Sequence, residues 1–208
     1  MGSDYLVHYG VLGQKWGIRR YQNRDGTRIK SSDRIFQEAK RREPKITSDV
    51  TSAISKTDAK IFGLEHKLKT QESVARKKSL GKDVKDAIRY TAVSSEANFV
   101  KNYNAIKSEL EKLGYSETRC KNYFEEYRKG MVNHKSVQSN FKTDDGYEFE
   151  IQFQTKASQL AKDKKVPLYE ESRNPNTSSK RKEELIRQMR YLADNVKDPD
   201  NIKSIKSH

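Results

Sequence analysis

The sequence predicts an α+β domain, a mixed β-sheet of about four to five strands flanked by helices. Three observations predict it. Phe99, Val100, Tyr103, Ile106, Leu110 and Leu113 recur at the spacing of one helix face. Tyr147, Phe149, Ile151 and Phe153 alternate with Glu148, Glu150, Gln152 and Gln154, the period of a strand with one core face and one polar face. The elements run helix, helix, strand, helix, strand, strand, strand, helix, helix, an order that describes mixed layers around one core.

Residues 1–31 hold five glycines, Trp16 and several aromatic or His residues with no helical or strand period, and Asp25-Gly26 is a turn signal. They read as a basic adaptor module. Ser32-Asp33 can cap a short helix over 34–42 that Pro44 ends, so 32–46 is expected to be a linker helix. The pattern becomes regular at Thr47. Ser48 or Asp49 can cap a helix with Val50, Ala53 and Ile54 inward. Residues 67–78 read as a loop entering a short helix, with Val74 buried and Gly81 as breaker. Residues 87–93 are β-branched and aromatic enough for a strand. The central helix follows, capped by Ser95, with Gly114 where a left-handed cap belongs.

Residues 115–123 read as the next strand. Residues 132–142 and 147–155 flank Asp144-Asp145-Gly146, a hairpin signal. Residues 156–164 are expected to be helical, with Pro167 as an interruption. Residues 179–197 form an amphipathic helix with Leu185, Ile186, Met189, Leu192, Ala193 and Val196 on one stripe. The domain proper is thus expected over 47–197, and residues 198–208 are expected to fray.

The chain has 208 residues, 43 of them Lys or Arg against 29 Asp or Glu, for a formal charge of +14. Such a surplus favours polyanionic partners. It is concentrated in residues 14–42, which hold ten Lys or Arg, and in a second cluster of Lys67, Lys69, Arg76, Lys77 and Lys78 interleaved with apolar positions. No apolar stretch approaches the roughly 20 residues of a membrane span, and the start lacks the basic region and apolar run of a secretory signal. Leu6 stands where a myristoylation motif wants Ser or Thr. Cys120 is the only cysteine, which excludes an intramolecular disulfide and points to a reducing compartment. The four histidines and one cysteine show no zinc-ligand spacing.

Two parts of a phosphoryl-transfer site are present in the pattern. A carboxylate on a sheet face, Glu150, can hold Mg²⁺ or accept a proton from an attacking hydroxyl. The basic loop, with Lys67, Lys69, Arg76 and Lys77, can neutralise a triphosphate. His134 and Tyr123 are candidates to stack a base.

The runs GLEHKLKTQESVARKK, DVKDAIRYT and HKSVQSNFKTDDGYEFEIQFQT resemble the synthetase fold of the RelA/SpoT family, over residues 47–171. Members of that family move pyrophosphate from ATP to a nucleotide 3′-hydroxyl or, in toxin branches, to the tRNA 3′ end. The resemblance implies ATP and Mg²⁺ as cofactors. It sets Lys67, Lys69, Ser73 and Lys77 in the ATP loop, with His66 in place of a glycine, and Arg76 beside them. It makes Glu150, with Gln152 and Thr155, the Mg²⁺-facing carboxylate or base, and Arg89 the arginine of the first core strand. The family's metal-binding Asp falls on Val84, leaving Asp86, two residues on and on the same strand face, or Asp83 as replacement. The Tyr that stacks the acceptor guanine falls on His134, and a following His falls on Gln138. A changed acceptor or an inactive domain fits these departures.

A second resemblance covers HYGVLGQKWGIRRYQNRDGT, residues 8–27, which is similar to a short module of proteins encoded beside phage portal and head genes. A module shared by unrelated domains acts as an address. The combined expectation is a phage or prophage protein, in the bacterial cytoplasm or the virion, whose catalytic set is Glu150, Asp86 and Arg89, with Glu150 and Asp86 on the metal. The alternative expectation is a non-catalytic head or cargo protein whose basic surface contacts packaged DNA. An enzyme should converge Glu150, Asp86, Arg89 and Lys67, whereas a DNA-contacting protein should spread its cations over a convex face.

Overall fold

The computed structural model describes residues 30–132 and 134–208. The adaptor motif at 8–27 lies outside the described residues. Five helices and five strands follow one another as α1 (Lys30–Ser55), β1 (Lys60–Ile61), α2 (Gln71–Ser79), β2 (Arg89–Ser94), α3 (Phe99–Lys112), β3 (Ser116–Asn122), β4 (Val137–Lys142), β5 (Glu148–Thr155), α4 (Lys156–Arg173) and α5 (Ser179–Asp194). The sheet order is β1-β2-β5-β4-β3. Only β2 and β5 run parallel, and the other pairs are antiparallel. The fold is α+β with a mixed five-stranded sheet, as the pattern predicts.

The apolar face of the sheet carries Tyr90, Ala92, Phe141, Phe149, Ile151 and Phe153, all buried. Helices α1 and α3 cover it. Tyr103 of α3 meets Phe153 edge-on at 5.0 Å, and Thr47 of α1 hydrogen-bonds the Tyr90 hydroxyl at 2.8 Å. Gly114 ends the α3 turn and Gly146 closes the β4–β5 hairpin, each at φ 88°, where a Cβ would be strained.

Three expectations need correction. Pro44 does not end a helix; α1 runs through it to Ser55. Pro167 likewise sits inside α4. A proline within a helix costs about 3 kcal/mol, but both rings lie on exposed faces. The opposite face of α1 buries Ala39, Ile46, Val50, Ala53 and Ile54, which outweighs the loss. Residues 32–46 are therefore a packed half of one helix rather than a linker. Arg42 clamps the β4–β5 hairpin with two bonds to Asp145, at 2.8 and 2.5 Å, and stacks over Tyr147.

The third correction concerns the C-terminal residues, which dock rather than fray. Cys120 and His208 exchange backbone hydrogen bonds along the outer edge of β3. The Asn122 amide donates to Ile202 and Ile205 carbonyls, both at 2.9 Å, and both isoleucines are buried. An edge strand left open is a pairing hazard, and this return of the chain covers part of it.

Candidate active site

The polar face of the sheet is where the candidate residues meet. In the β2–β5 register Arg89 lies opposite Glu150 and Thr91 opposite Gln152. In the β4–β5 register Asn140 lies opposite Glu150 and Gln138 opposite Gln152. Paired residues share a face, so these side chains form two adjacent rows across the centre of the sheet. The face is not solvated as the alternation alone suggests. Helix α4 folds back on it, and Glu150 is only 7% exposed, with Gln152, Gln154 and Thr155 also buried.

A buried carboxylate needs partners. Gln152 Nε2 donates to Glu150 Oε1 at 2.8 Å. The orientation of that amide is fixed from the other side, because the Lys162 ammonium of α4 donates to Gln152 Oε1 at 2.9 Å and can only donate. Lys162 thus positions Glu150 through Gln152. Among the described residues Glu150 Oε2 has no hydrogen-bond partner. Burial, and then the nearby Arg89 charge, pull Lys162 down to about 8.

The basic loop is clamped to the start of the same strand. The Arg89 N–H donates to the Lys67 carbonyl at 2.7 Å, and the Lys69 N–H donates to the Ala87 carbonyl at 2.9 Å. Lys67 pairs with Glu43 of α1 at 3.3 Å. Lys69 and Lys77 each hold one oxygen of Asp86, at 3.0 and 2.7 Å. Burial pushes the Asp86 carboxyl up, but Lys77 and Lys69 together hold it below the usual carboxylate range. Ser73 lies in the first turn of α2, where its N–H donates to the capping Thr70 hydroxyl at 3.2 Å. Arg76 follows it on α2.

The expectation of Glu150 and Asp86 as a metal pair meets this geometry only in part. Residues 82–87 are irregular rather than strand, so Val84 and Asp86 do not share a strand face. Both Asp86 oxygens are engaged by lysines, which leaves Glu150 Oε2 as the open carboxylate oxygen of the two. Among the described residues no group of three or more His, Cys, Asp or Glu could hold a metal ion. Mg²⁺ is commonly held by one or two carboxylates plus substrate phosphates, and one carboxylate is what these residues offer.

His134 is brought to the same place. Its Nε2 is buried with no hydrogen-bond partner among the described residues. Burial, followed by Lys162, Lys165 and Arg89, lowers its pKa to about 3. Because the folded value lies below the ordinary 6.5, the stability that a neutral His134 supplies is complete above pH 6.5 and is lost as pH falls toward 3. His134→Gln should remove that component. The wild type should lose about 1–2 kcal/mol more than the variant between pH 7 and 5, measured by urea unfolding. Equal losses in both would show that His134 protonates freely in the folded chain.

Lys162 and Lys165 were not signalled by the sequence pattern. They read as solvated charges within the Lys-rich run 156–165, yet Lys165 is buried and donates to the Val132 carbonyl at 2.5 Å. The available hint was inverted amphipathicity: Leu160, Val166 and Tyr169 of the same helix are exposed.

No family model and no curated protein matches the chain. Solved structures do resemble it. Small alarmone synthetase 2 from Bacillus subtilis superposes with a TM-score of 0.51, at 15% identity, over 76% of this chain and 93% of that one. Small alarmone synthetase 1 from the same organism, bound to its product pppGpp, gives 0.49 at 17% identity over 79% and 92%. The type VI effector Tas1, in complex with its immunity protein, gives 0.49 at 16% identity over 79% and 95%. The first of these assigns the fold, which is that of the alarmone synthetases. Among the described residues no helix is long and apolar enough to cross a membrane.

Proposed function

We propose that the chain is a pyrophosphate-transferring enzyme of RelA/SpoT type that uses ATP and acts on a nucleotide or on the 3′ end of tRNA, as a toxin or host-takeover factor. The observation that carries the reading is the convergence at the start of β2. Arg89 and Glu150 face each other in register, the backbone of Arg89 is bonded to Lys67, and Asp86 gathers Lys69 and Lys77 three residues upstream. Scattered surface cations would not share one strand end.

In this reading the acceptor 3′-hydroxyl oxygen attacks the β-phosphorus of ATP. The bond from that phosphorus to the α–β bridging oxygen breaks, and AMP leaves. Glu150 takes the hydroxyl proton on its open oxygen, held in place by Gln152 and Lys162. Arg89 faces the charge that develops on the transferred group. Asp86 is a positioning residue that spaces the two loop lysines for the triphosphate. Mg²⁺, when bound, would neutralise phosphate charge beside Glu150. Residues 8–27 would be an address for phage capsid or portal proteins, and the chain would then act in the bacterial cytoplasm or the virion.

The test is incubation of the purified chain with ATP labelled in its β and γ phosphates, Mg²⁺, and either guanine nucleotides or bulk tRNA. Transfer of label to one acceptor, with release of AMP, supports the reading; no transfer to any acceptor overturns it. The loop has its own test. Replacing Lys67 and Lys69 by Ala should weaken ATP binding by about 1–3 kcal/mol in calorimetry, the range for charge-assisted bonds. Unchanged affinity would remove ATP from the loop.

A further inference from the structure

The positive charges of this site differ in what already balances them. Lys67 has Glu43, while Lys69 and Lys77 share Asp86. Arg89 has no hydrogen-bond or ion-pair partner for its guanidinium among the described residues. Among the described residues Lys162 hydrogen-bonds only the neutral Gln152 oxygen, with the charges of Asp163 and Glu150 nearby but not bonded to it. His134 lies in the segment that α4 holds at both ends, through Lys165 on the Val132 carbonyl and Ser158 on the Lys135 carbonyl, and its buried Nε2 has no partner among the described residues.

We propose that Arg89, Lys162 and His134 form a phosphate-class anion subsite beneath α4, distinct from the basic loop. Arg89 comes from β2, Glu150 from β5, and Lys162, Lys165 and the exposed Asp163 from α4. Lys165 is spent on the Val132 carbonyl. Among the described residues Glu150 is the buried carboxylate on the same sheet face as Arg89, and its Oε1 is taken by Gln152.

Two like charges held together in a half-buried place repel, and an anion between them relieves the repulsion. A guanidinium offers a planar fork of donors that matches two oxygens of a phosphate, and the Lys162 ammonium has two further protons to give. The neutral imidazole can donate from Nε2 in one tautomer. Three donors with surplus positive charge, under a helix that excludes part of the solvent, suit a phosphate or diphosphate better than a neutral ligand.

The subsite shares Arg89 and Lys162 with the proposed transfer site, but its test can be read without turnover. The starting protein is the full chain with Lys67→Ala and Lys69→Ala, which removes two loop cations. Calorimetry with inorganic pyrophosphate, without Mg²⁺, should still show binding to it. Adding Lys162→Met should weaken that binding about tenfold or more. Adding Lys162→Arg, which keeps the charge, should hold it within about threefold, and this separates loss of the subsite from loss of the fold. If the loop variant binds no pyrophosphate while the wild type does, the anion sits on the loop and the proposal fails. It also fails if Lys162→Met binds as tightly as its parent, or if the wild type binds none. A chain that binds as expected but transfers no label overturns only the enzymatic reading.

Discussion

Glu150→Gln is expected to slow pyrophosphate transfer by about 10²–10⁴-fold while leaving ATP binding in place, because it removes the proton acceptor without changing the size of the side chain. The position matters more than an exposed strand residue would. Glu150 is buried beneath α4, and Gln152, itself held by Lys162, fixes one of its oxygens. A glutamine at 150 can offer its carbonyl to Gln152 in the same place. What it loses is the attraction of its charge to Lys162 and Arg89; what it gains is relief from a buried carboxylate's desolvation. These oppose each other, so stability should change by no more than about 1–2 kcal/mol in urea unfolding. A bacterial host gives a second readout, in which expression of the wild type arrests growth and the variant does not. Transfer at an unchanged rate by the folded variant would sink Glu150 as the base.

The parts legible in the sequence are those whose information is local and periodic. Helix α3 was readable from six apolar residues on one stripe and a glycine at its end, and the β4–β5 hairpin from two alternating strands around Asp144-Asp145-Gly146. The parts that misled are those decided by distant contacts. Proline rules see only the helix they sit in, so they place breaks at Pro44 and Pro167, whereas packing of the far face carries both helices through. The two-residue β1 is too short to show a period. The polar face of β5 looks solvated because alternation cannot tell water from a covering helix.

The site divides in the same way. Glu150 and the loop lysines were signalled by residue type and pattern and Arg89 by the family resemblance, and the structure brings Arg89 opposite Glu150 and beside the Lys67 backbone. Their partners were not. That Asp86 serves Lys69 and Lys77, or that Lys162 reaches over the sheet to Gln152, depends on where α2 and α4 dock. Neither relation spans a fixed sequence interval that a pattern could record.

Phe149→Ala is expected to have the largest effect on folding, a loss of about 3–5 kcal/mol. Phe149 is fully buried at the centre of an aromatic cluster. Its ring stands edge-on to Tyr90 and Tyr115, with centroids at 6.2 and 5.4 Å, and stacks on Phe141 at 5.9 Å. These contacts join β2, β4 and β5 to the turn after α3, so a cavity there loosens the sheet as well as the helix layer. Tyr90 and Tyr115 are also tied by their hydroxyls to Thr47 and Asp49 of α1, at 2.8 and 2.5 Å, which limits how far the walls can close on the void. A domain with the usual range of about 5–15 kcal/mol of stability would lose about a fifth or more of it. The control is Leu113→Ala, at a half-exposed site just past α3, which should cost less than about 1 kcal/mol. Because Phe149 neighbours Glu150 on the opposite face of β5, the variant also reports on function. A Phe149→Ala chain that unfolds at much lower urea, yet transfers pyrophosphate normally at low temperature, would show that the polar face keeps its geometry when the apolar face is weakened. If urea unfolding finds the two variants equally stable, the aromatic cluster is not the centre of this core.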